Sequence, residues 1–359
     1  MLDAPSVEQL GWDEQWQSEL ERLDDHNLIS GRIAAHHRGE YVVWSEPGEL
    51  RAAAAGRMLY DVDIGAPLPA VGDWVAIRPH AAERRGTIEA VLPRRTAISR
   101  KQAFKESLEQ VLAANVDVVL LLNSLDADFS LRRLERYLTT AWESGAQPVV
   151  VLTKSDLHAD IGETVLEVES VAIGVPVVAV SNVTGDGIDV VRGHLGAGRT
   201  AVLLGSSGVG KSSLLNRLAG TQLMRTAELA GDGTGRHTTT HRELVLLSGG
   251  ELVIDTPGLR ELQLWDGDLG ASFADVEELA ASCRFNDCTH THEPGCEVLG
   301  AVDDDRLDLE RLRSWRKLQR ELLSIAARKD RRLHGELKRR WIAQGRAGKA
   351  AAARKRGSR

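Results

Sequence analysis

Residues 205–213 read Gly-Ser-Ser-Gly-Val-Gly-Lys-Ser-Ser, directly behind the apolar run TAVLL and ahead of the helical stretch SLLNRLAG. A G-x-x-x-x-G-K-[ST] segment between a strand and a helix is the signature of a phosphate-binding loop. Gly205, Gly208 and Gly210 let backbone N–H groups converge on phosphate oxygens at the positive end of the following helix. Lys211 is expected to reach the β- and γ-phosphates, and the Ser212 hydroxyl to ligate Mg²⁺. Such a loop fixes much of the fold, because it sits at the carboxyl end of a buried parallel strand. The apolar runs VDVVLLLNSL (116–125), PVVVL and VPVVAV alternate with helical patterns, one of them from Leu131 to Ser144. This alternation predicts a parallel sheet with helices on both faces. A hairpin over 243–258 is expected to complete it.

Four further motifs define the chemistry. Asp255-Thr-Pro-Gly258 closes the apolar run LVID, 44 residues beyond Lys211. An acid there can hold Mg²⁺, and the Gly258 amide can sense a γ-phosphate. Thr153-Lys154-Ser155-Asp156 ends another apolar run; its aspartate can accept both the guanine N1–H and the exocyclic amine, a pair adenine lacks. The Lys154 stem can pack along the base. Ser181-Asn182-Val183 would complete the base pocket with backbone donors. The polar stretch Gly231–His241, GDGTGRHTTTH, suits a loop that closes a threonine onto Mg²⁺ and the γ-phosphate. Of Thr238, Thr239 and Thr240, Thr239 is taken as that ligand. Leu259 stands where many GTPases place a water-orienting glutamine, and His237 is the candidate to replace it. The base-reading motifs precede the phosphate loop, whereas an ordinary small GTPase has them after it. The chain therefore reads as a circularly permuted GTPase. In this order the segment after Asp255 leads straight towards the cysteine cluster, so nucleotide state could reorient the C-terminal region.

All three cysteines fall between 283 and 296. The spacing Cys283-x₄-Cys288-x-His290-x₅-Cys296 offers three thiolates and an imidazole, a complete tetrahedral zinc set without an open position and hence structural. His292 is an alternative fourth ligand. A disulfide framework would not cluster an odd number of cysteines so tightly.

Upstream, residues 31–100 read as five short strands broken by Gly and Pro (GRIAAHH, EYVVWS, ELRAAAAG, GDWVAIRP, GTIEAVLP), which predicts a small β-barrel with the oligonucleotide-binding barrel among the possibilities. Residues 101–115 are expected to form a helical connector. The net charge of −7 hides an asymmetry: residues 306–359 carry +14, residues 102–305 carry −17, and residues 1–30 carry −7. A basic end on an acidic body suggests a polyanionic partner. No apolar run approaches the ~20 residues of a membrane span, and the acidic N-terminus lacks a signal peptide's features. The expected location is cytoplasmic.

Taken in order, TKSD, SNVTG, GSSGVGKSS, GRHTTT, DTPG and the Cys/His cluster resemble the bacterial RsgA (YjeQ) family of ribosome small-subunit-dependent GTPases, over about residues 28–345. An acidic extension at 1–27 and a basic, disordered tail at 346–359 are expected outside the resemblance, which implies an OB-fold RNA-binding barrel at 28–100. It implies a permuted α/β P-loop GTPase at 101–270 and a helical zinc-binding domain at 271–345. It implies GTP contacts from Thr153, Lys154, Ser155, Asp156, Ser181 and Asn182, from Gly205, Ser206, Ser207, Gly208, Val209, Gly210, Lys211, Ser212 and Ser213, and from Asp255 and Gly258. Mg²⁺ would be held by Ser212, Thr239 and Asp255, and one structural zinc by Cys283, Cys288, His290 and Cys296. His237, Lys211 and Thr239 would carry the hydrolysis of GTP to GDP and phosphate. The implied partners are the small (30S) ribosomal subunit, its 16S rRNA and other assembly factors, reached late in subunit maturation by a monomer. Thr153 departs from the usual Asn, which braces the phosphate loop through its amide, and the departure predicts weaker base binding. Two other readings compete: a GTP-dependent RNA-binding switch with a different ribosomal or mRNA target, and a metabolic P-loop kinase or ATPase. The aspartate of TKSD and the missing lid signature oppose the last.

Overall fold

The computed structural model describes residues 5–37, 39–61, 68–80, 83–101, 109–206, 208–221, 242–255, 272–285 and 288–329. The chain divides into two compact units, residues 1–100 with 110–263, and residues 101–109 with 264–359.

In the first unit, α1 (Glu14–Glu21) precedes β1 (Ile29–His37), β2 (Glu40–Ser45), β3 (Gly48–Ala54), α2 (Gly56–Asp61), β4 (Trp74–His80) and β5 (Arg85–Val91). These five strands pair in the order β1-β2-β3-β5-β4, and β4 returns to β1, so the sheet closes into the expected barrel. Strands β3 and β5 run parallel while the other pairs are antiparallel. Alternate residues point inward, with Ile33, Val43, Ile77 and Ile88 fully buried. Asp73, at the entry to β4, is also enclosed. It accepts from Arg94 Nε and Nη2 at 2.7 Å and from the Ala70 amide at 2.7 Å.

The N-terminal segment packs onto this barrel. Asp13 caps α1 by accepting from the Gln15 and Trp16 amides at 3.1 Å, and its carboxylate pairs with Arg95. Leu10 and Trp16 are buried, and Trp12 meets Trp74 edge-on at 4.8 Å between centroids. Arg32 on β1 lies at the same junction. Its guanidinium donates to the carbonyls of Leu10, Gly72 and Asn115 and to the Thr200 hydroxyl, and it stacks on Trp74.

Strands β6 (Ala97–Lys101) and β7 (Glu109–Ala114) form a two-stranded sheet. Residues 109–114, expected to be helical, are therefore extended; strand pairing outweighs the helix-forming bias of Glu, Gln, Leu and Ala.

Next come β8 (Val118–Ser124), α3 (Leu131–Glu143), β9 (Gln147–Thr153), α4 (Ile161–Val171), β10 (Val177–Ala179), α5 (Ile188–Leu195), β11 (Thr200–Leu204), α6 (Lys211–Ala219), β12 (Glu243–Leu246) and β13 (Leu252–Asp255). The strand order is β10-β9-β8-β11-β13-β12, parallel except for β12. Strand β8 is buried throughout. Val119 and Leu121 pack with Leu134 and Leu138 of α3, while Leu120 and Leu122 pack with Val191 of α5 and Leu214 and Leu218 of α6. That two-sided burial explains its unbroken apolar sequence. Strand β12 also touches the barrel, with Ala35 of β1 opposite Glu243.

In the second unit, α7 (Ala274–Ala281), α8 (Glu297–Asp303) and α9 (Leu309–Lys329) enclose a small core of Phe273, Val276, Val298, Leu312 and Trp315. Arg311 closes it, donating to both Asp275 oxygens at 2.6 and 2.7 Å and to the Ser272 carbonyl at 2.9 Å. Among the described residues no helix is long and apolar enough to cross a membrane.

Candidate functional site

The parallel strands bring the expected nucleotide residues to one edge of the sheet, at their carboxyl ends, where ligands bind in open α/β folds. The loop 205–210 leaves β11 and enters α6. Gly208 and Gly210 have φ of +79° and +98°, conformations that favour glycine. At Gly205 a Cβ would come within 2.8 Å of the Leu122 carbonyl, so a side chain there would push the loop off β8. Lys211 Nζ donates to the Gly205 and Ser206 carbonyls at 2.7 and 2.6 Å, which holds the ammonium over the loop. Ser212 and Ser213 occupy the first turn of α6.

The two segments expected to read the base follow β9 and β10, which adjoin each other in the sheet. The Thr153 hydroxyl, fully buried, donates to the Val209 carbonyl at 2.6 Å. Threonine thus supplies the loop brace expected of asparagine, and its presence does not leave the loop unsupported. Lys154 adopts a left-handed conformation, φ +61°, at the start of the short helical turn Ser155–Leu157. The Ser155 amide donates to the Val180 carbonyl at 3.1 Å. Asp156 Oδ1 accepts from the Ser181 hydroxyl at 2.5 Å, while that same oxygen of Ser181 accepts from the Val183 and Thr184 amides. Asp156 is thereby tied to the loop of Ser181.

Asp255 ends β13, the strand beside β11. Burial lifts its carboxyl above the usual carboxylate range, and the Lys211 charge opposes that rise. Ser207, His237, Thr238, Thr239, Thr240, Gly258 and Leu259 lie outside the described residues.

Two acids unread in the sequence join the site. Asp126, in the turn after β8, pairs with Lys154 Nζ at 2.6 Å, and that bond holds its carboxyl down to about 2. Asp128 accepts from the Ser206 hydroxyl at 2.6 Å and pairs with Arg133. The signal available was their place: two acids just past the carboxyl end of an apolar strand.

In the second unit, one ligand atom from each of Cys283, Cys288, His290 and Cys296 lies within 4.8 Å of the others. Cys283 Sγ and Cys296 Sγ are 3.8 Å apart and each is 3.5 Å from His290 Nδ1. A tetrahedral zinc with bonds of about 2.3 Å to sulfur and about 2.0 Å to nitrogen sets edges of about 3.8 and 3.5 Å. The donor set and its spacing fit that ion. Burial lowers the His290 pKa and keeps the imidazole neutral, the form that ligates. His292 instead bonds the Thr291 hydroxyl through Nδ1 at 2.9 Å and stands exposed outside the cluster. Glu293 fastens the intervening loop by accepting from the Thr289, Thr291 and His292 amides.

Residues 91–265 match the family model of the RsgA GTPase. The chain is 49% identical over 348 residues to the small ribosomal subunit biogenesis GTPase RsgA of Opitutus terrae, covering 94% of this chain and 95% of that one. It is 47% identical over 355 residues to the protein of that name from Streptomyces avermitilis, covering 97% and 94%. Among solved structures it resembles YjeQ from Thermotoga maritima, with a TM-score of 0.62, 28% identity and 82% and 99% of the two chains covered. It also resembles YloQ, described as a circularly permuted GTPase, with a TM-score of 0.59, 26% identity and 83% and 96% covered.

Proposed function

The chain belongs to the RsgA family of small ribosomal subunit biogenesis GTPases, and from that premise we propose how its residues divide the work. It is a GTP hydrolase of ribosomal subunit biogenesis. The target is the 30S subunit late in assembly, touched through 16S rRNA, where turnover promotes release of other assembly factors by a monomeric, cytoplasmic protein.

Asp156 accepts the guanine N1–H and exocyclic amine, with its free oxygen aimed by the Ser181 bond to the other. The backbone of 205–210 cradles the phosphates, and Lys211 exchanges its loop carbonyls for phosphate oxygens. Ser212, Asp255 and Thr239 would hold Mg²⁺, which would supply positive charge against that of the phosphates. Lys211 and that cation would act together against the desolvation of Asp255, keeping it ionised in spite of burial. His237 positions the attacking water, the role Leu259 cannot fill. Zinc is the metal for the Cys₃His cluster, where it staples the loop 283–296 to α8 and serves no chemical step. The barrel (28–100) and the basic residues after 306 supply phosphate contacts to rRNA, a salt-sensitive and sequence-independent attraction.

The convergence of Thr153–Asp156, Ser181 and Gly205–Lys211 at one sheet edge carries this reading. The test is GTP turnover alone and with isolated small subunits, with ATP as control, alongside Asp156→Asn assayed with XTP. Xanthine presents a carbonyl where guanine has its amine, so the substitution should transfer activity from GTP to XTP. Strong stimulation by subunits confined to GTP is expected. A rate unaltered by subunits would favour a GTP switch on another RNA, and unchanged guanine preference in Asp156→Asn would refute the base-pocket assignment.

A further inference from the structure

We infer that Asn182 and Arg217 form a strap fixing the base-reading loop to the phosphate-loop helix, and that this strap sets the affinity for guanine nucleotide. The inference rests on the reading of this site as a GTP site.

A threonine hydroxyl has one proton to give, and Thr153 donates it to the Val209 carbonyl. The next carbonyl, Gly210, lies within 3.4 Å of Asn182 Nδ2, and a Cβ on Gly210 would meet that nitrogen at 3.0 Å. The Asn182 side chain is thus packed directly against the entry to α6. Its Oδ1 is buried without a hydrogen-bond partner, a penalty that a residue free to turn outward would avoid. From the other side, Arg217 on α6 donates Nε to the Asn182 carbonyl at 2.8 Å and Nη2 to the Val183 carbonyl at 2.7 Å. A fork gripping two successive carbonyls fixes orientation as well as distance. Val183 itself is 72% exposed, so little apolar packing holds this loop in place. Because Ser181 in the same loop holds Asp156, Arg217 and Asn182 determine where the guanine reader stands relative to the phosphates. Both are positioning residues, and their contribution is preorganisation of a two-ended ligand site.

The experiment is steady-state GTP hydrolysis and equilibrium GDP binding by the full-length protein carrying Arg217→Ala, Arg217→Lys, Asn182→Ala, or Asn182→Ala with Thr153→Asn. Arg217→Ala should raise KM and the GDP Kd about tenfold with kcat within twofold, and Arg217→Lys should recover little, since an ammonium lacks the fork. Thr153→Asn should restore most of the affinity lost in Asn182→Ala, because the longer amide can brace the loop from the other strand. Arg217 is exposed on its helix, and thermal melts would check that each variant is folded at the assay temperature. Unchanged KM in Arg217→Ala, or no rescue of Asn182→Ala by Thr153→Asn, would overturn the strap. If Asp156→Asn abolishes guanine preference while the Arg217 variants stay silent, the strap fails and the site reading stands; if Asp156→Asn is also silent, the site reading itself falls.

Discussion

Replacing Arg32 by Met sets two large opposing effects against each other. The guanidinium is 2% exposed, and burial pulls its pKa down to about 10 despite the nearby Asp117 and Asp73 charges. At about 1.4 kcal/mol per pKa unit, the charged form carries a penalty of about 3 kcal/mol that methionine removes. On the other side stand four hydrogen bonds from a charged donor, to the Leu10, Gly72 and Asn115 carbonyls and to Thr200. At about 1.5–3 kcal/mol each they contribute about 6 kcal/mol or more. The Gly72 carbonyl keeps a second donor in Asn115 Nδ2, which trims the loss slightly. The balance is a destabilisation of about 2–3 kcal/mol at the low end, or roughly 4–12 °C in Tm for a unit of this size. Denaturant unfolding followed by tryptophan fluorescence reads this region directly, since Trp74 lies 5.3 Å from the guanidinium. An Arg32→Met protein as stable as its parent, or more stable, would show that desolvation outweighs the hydrogen bonds and would refute the reasoning.

Two further outcomes are expected. Because the Lys154 bond depresses the Asp126 pKa from 3.8 to about 2, the pair's stabilisation is complete above about pH 4 and lost as pH falls towards 2. For a partly exposed pair it amounts to about 0.5–1 kcal/mol, so Tm curves of parent and Asp126→Asn should converge over that window, and parallel curves would contradict the assignment. Metal analysis should find one ion per chain, lost in His290→Ala and kept in His292→Ala. Chelation should melt the helical signal of the second unit, as in domains whose folding is coupled to metal, and the opposite pattern for the two histidines would exchange their roles.

The nucleotide motifs were legible because each is a short run whose chemistry depends on local backbone geometry: glycines at positive φ, a lysine at a helix start, an acid at a strand end. The sheet was legible because β8, β9 and β11, buried on both faces, write unbroken apolar runs. Closure of the barrel was not, since the β1–β4 and parallel β3–β5 pairings join residues far apart in the chain and leave no local pattern. Residues 109–114 misled because their composition favours a helix while their neighbours offer a strand partner. The N-terminal segment reads as an acidic extension from its charge, although its apolar Leu10, Trp12 and Trp16 pack with the barrel core. Asn182 was read for its backbone, and only the packing against Gly210 exposes the work of its side chain. Asp126 and Asp128 carry no motif; their partners, Lys154 and Ser206, come from other strands.

The single bridge from Ala35 to Glu243 bears on how this chain can be dissected. Strand β12 has β13 on one flank and the barrel on the other. A fragment beginning at residue 101, the natural choice for isolating the nucleotide-binding part, would remove β1 and turn β12 into a bare sheet margin. It would also strip away Leu10, Trp16 and Trp74 from a core they share with Val116 and Leu252. Unprotected margins of this kind recruit strands from other molecules, so such a fragment would be prone to precipitate for reasons unrelated to its catalytic competence.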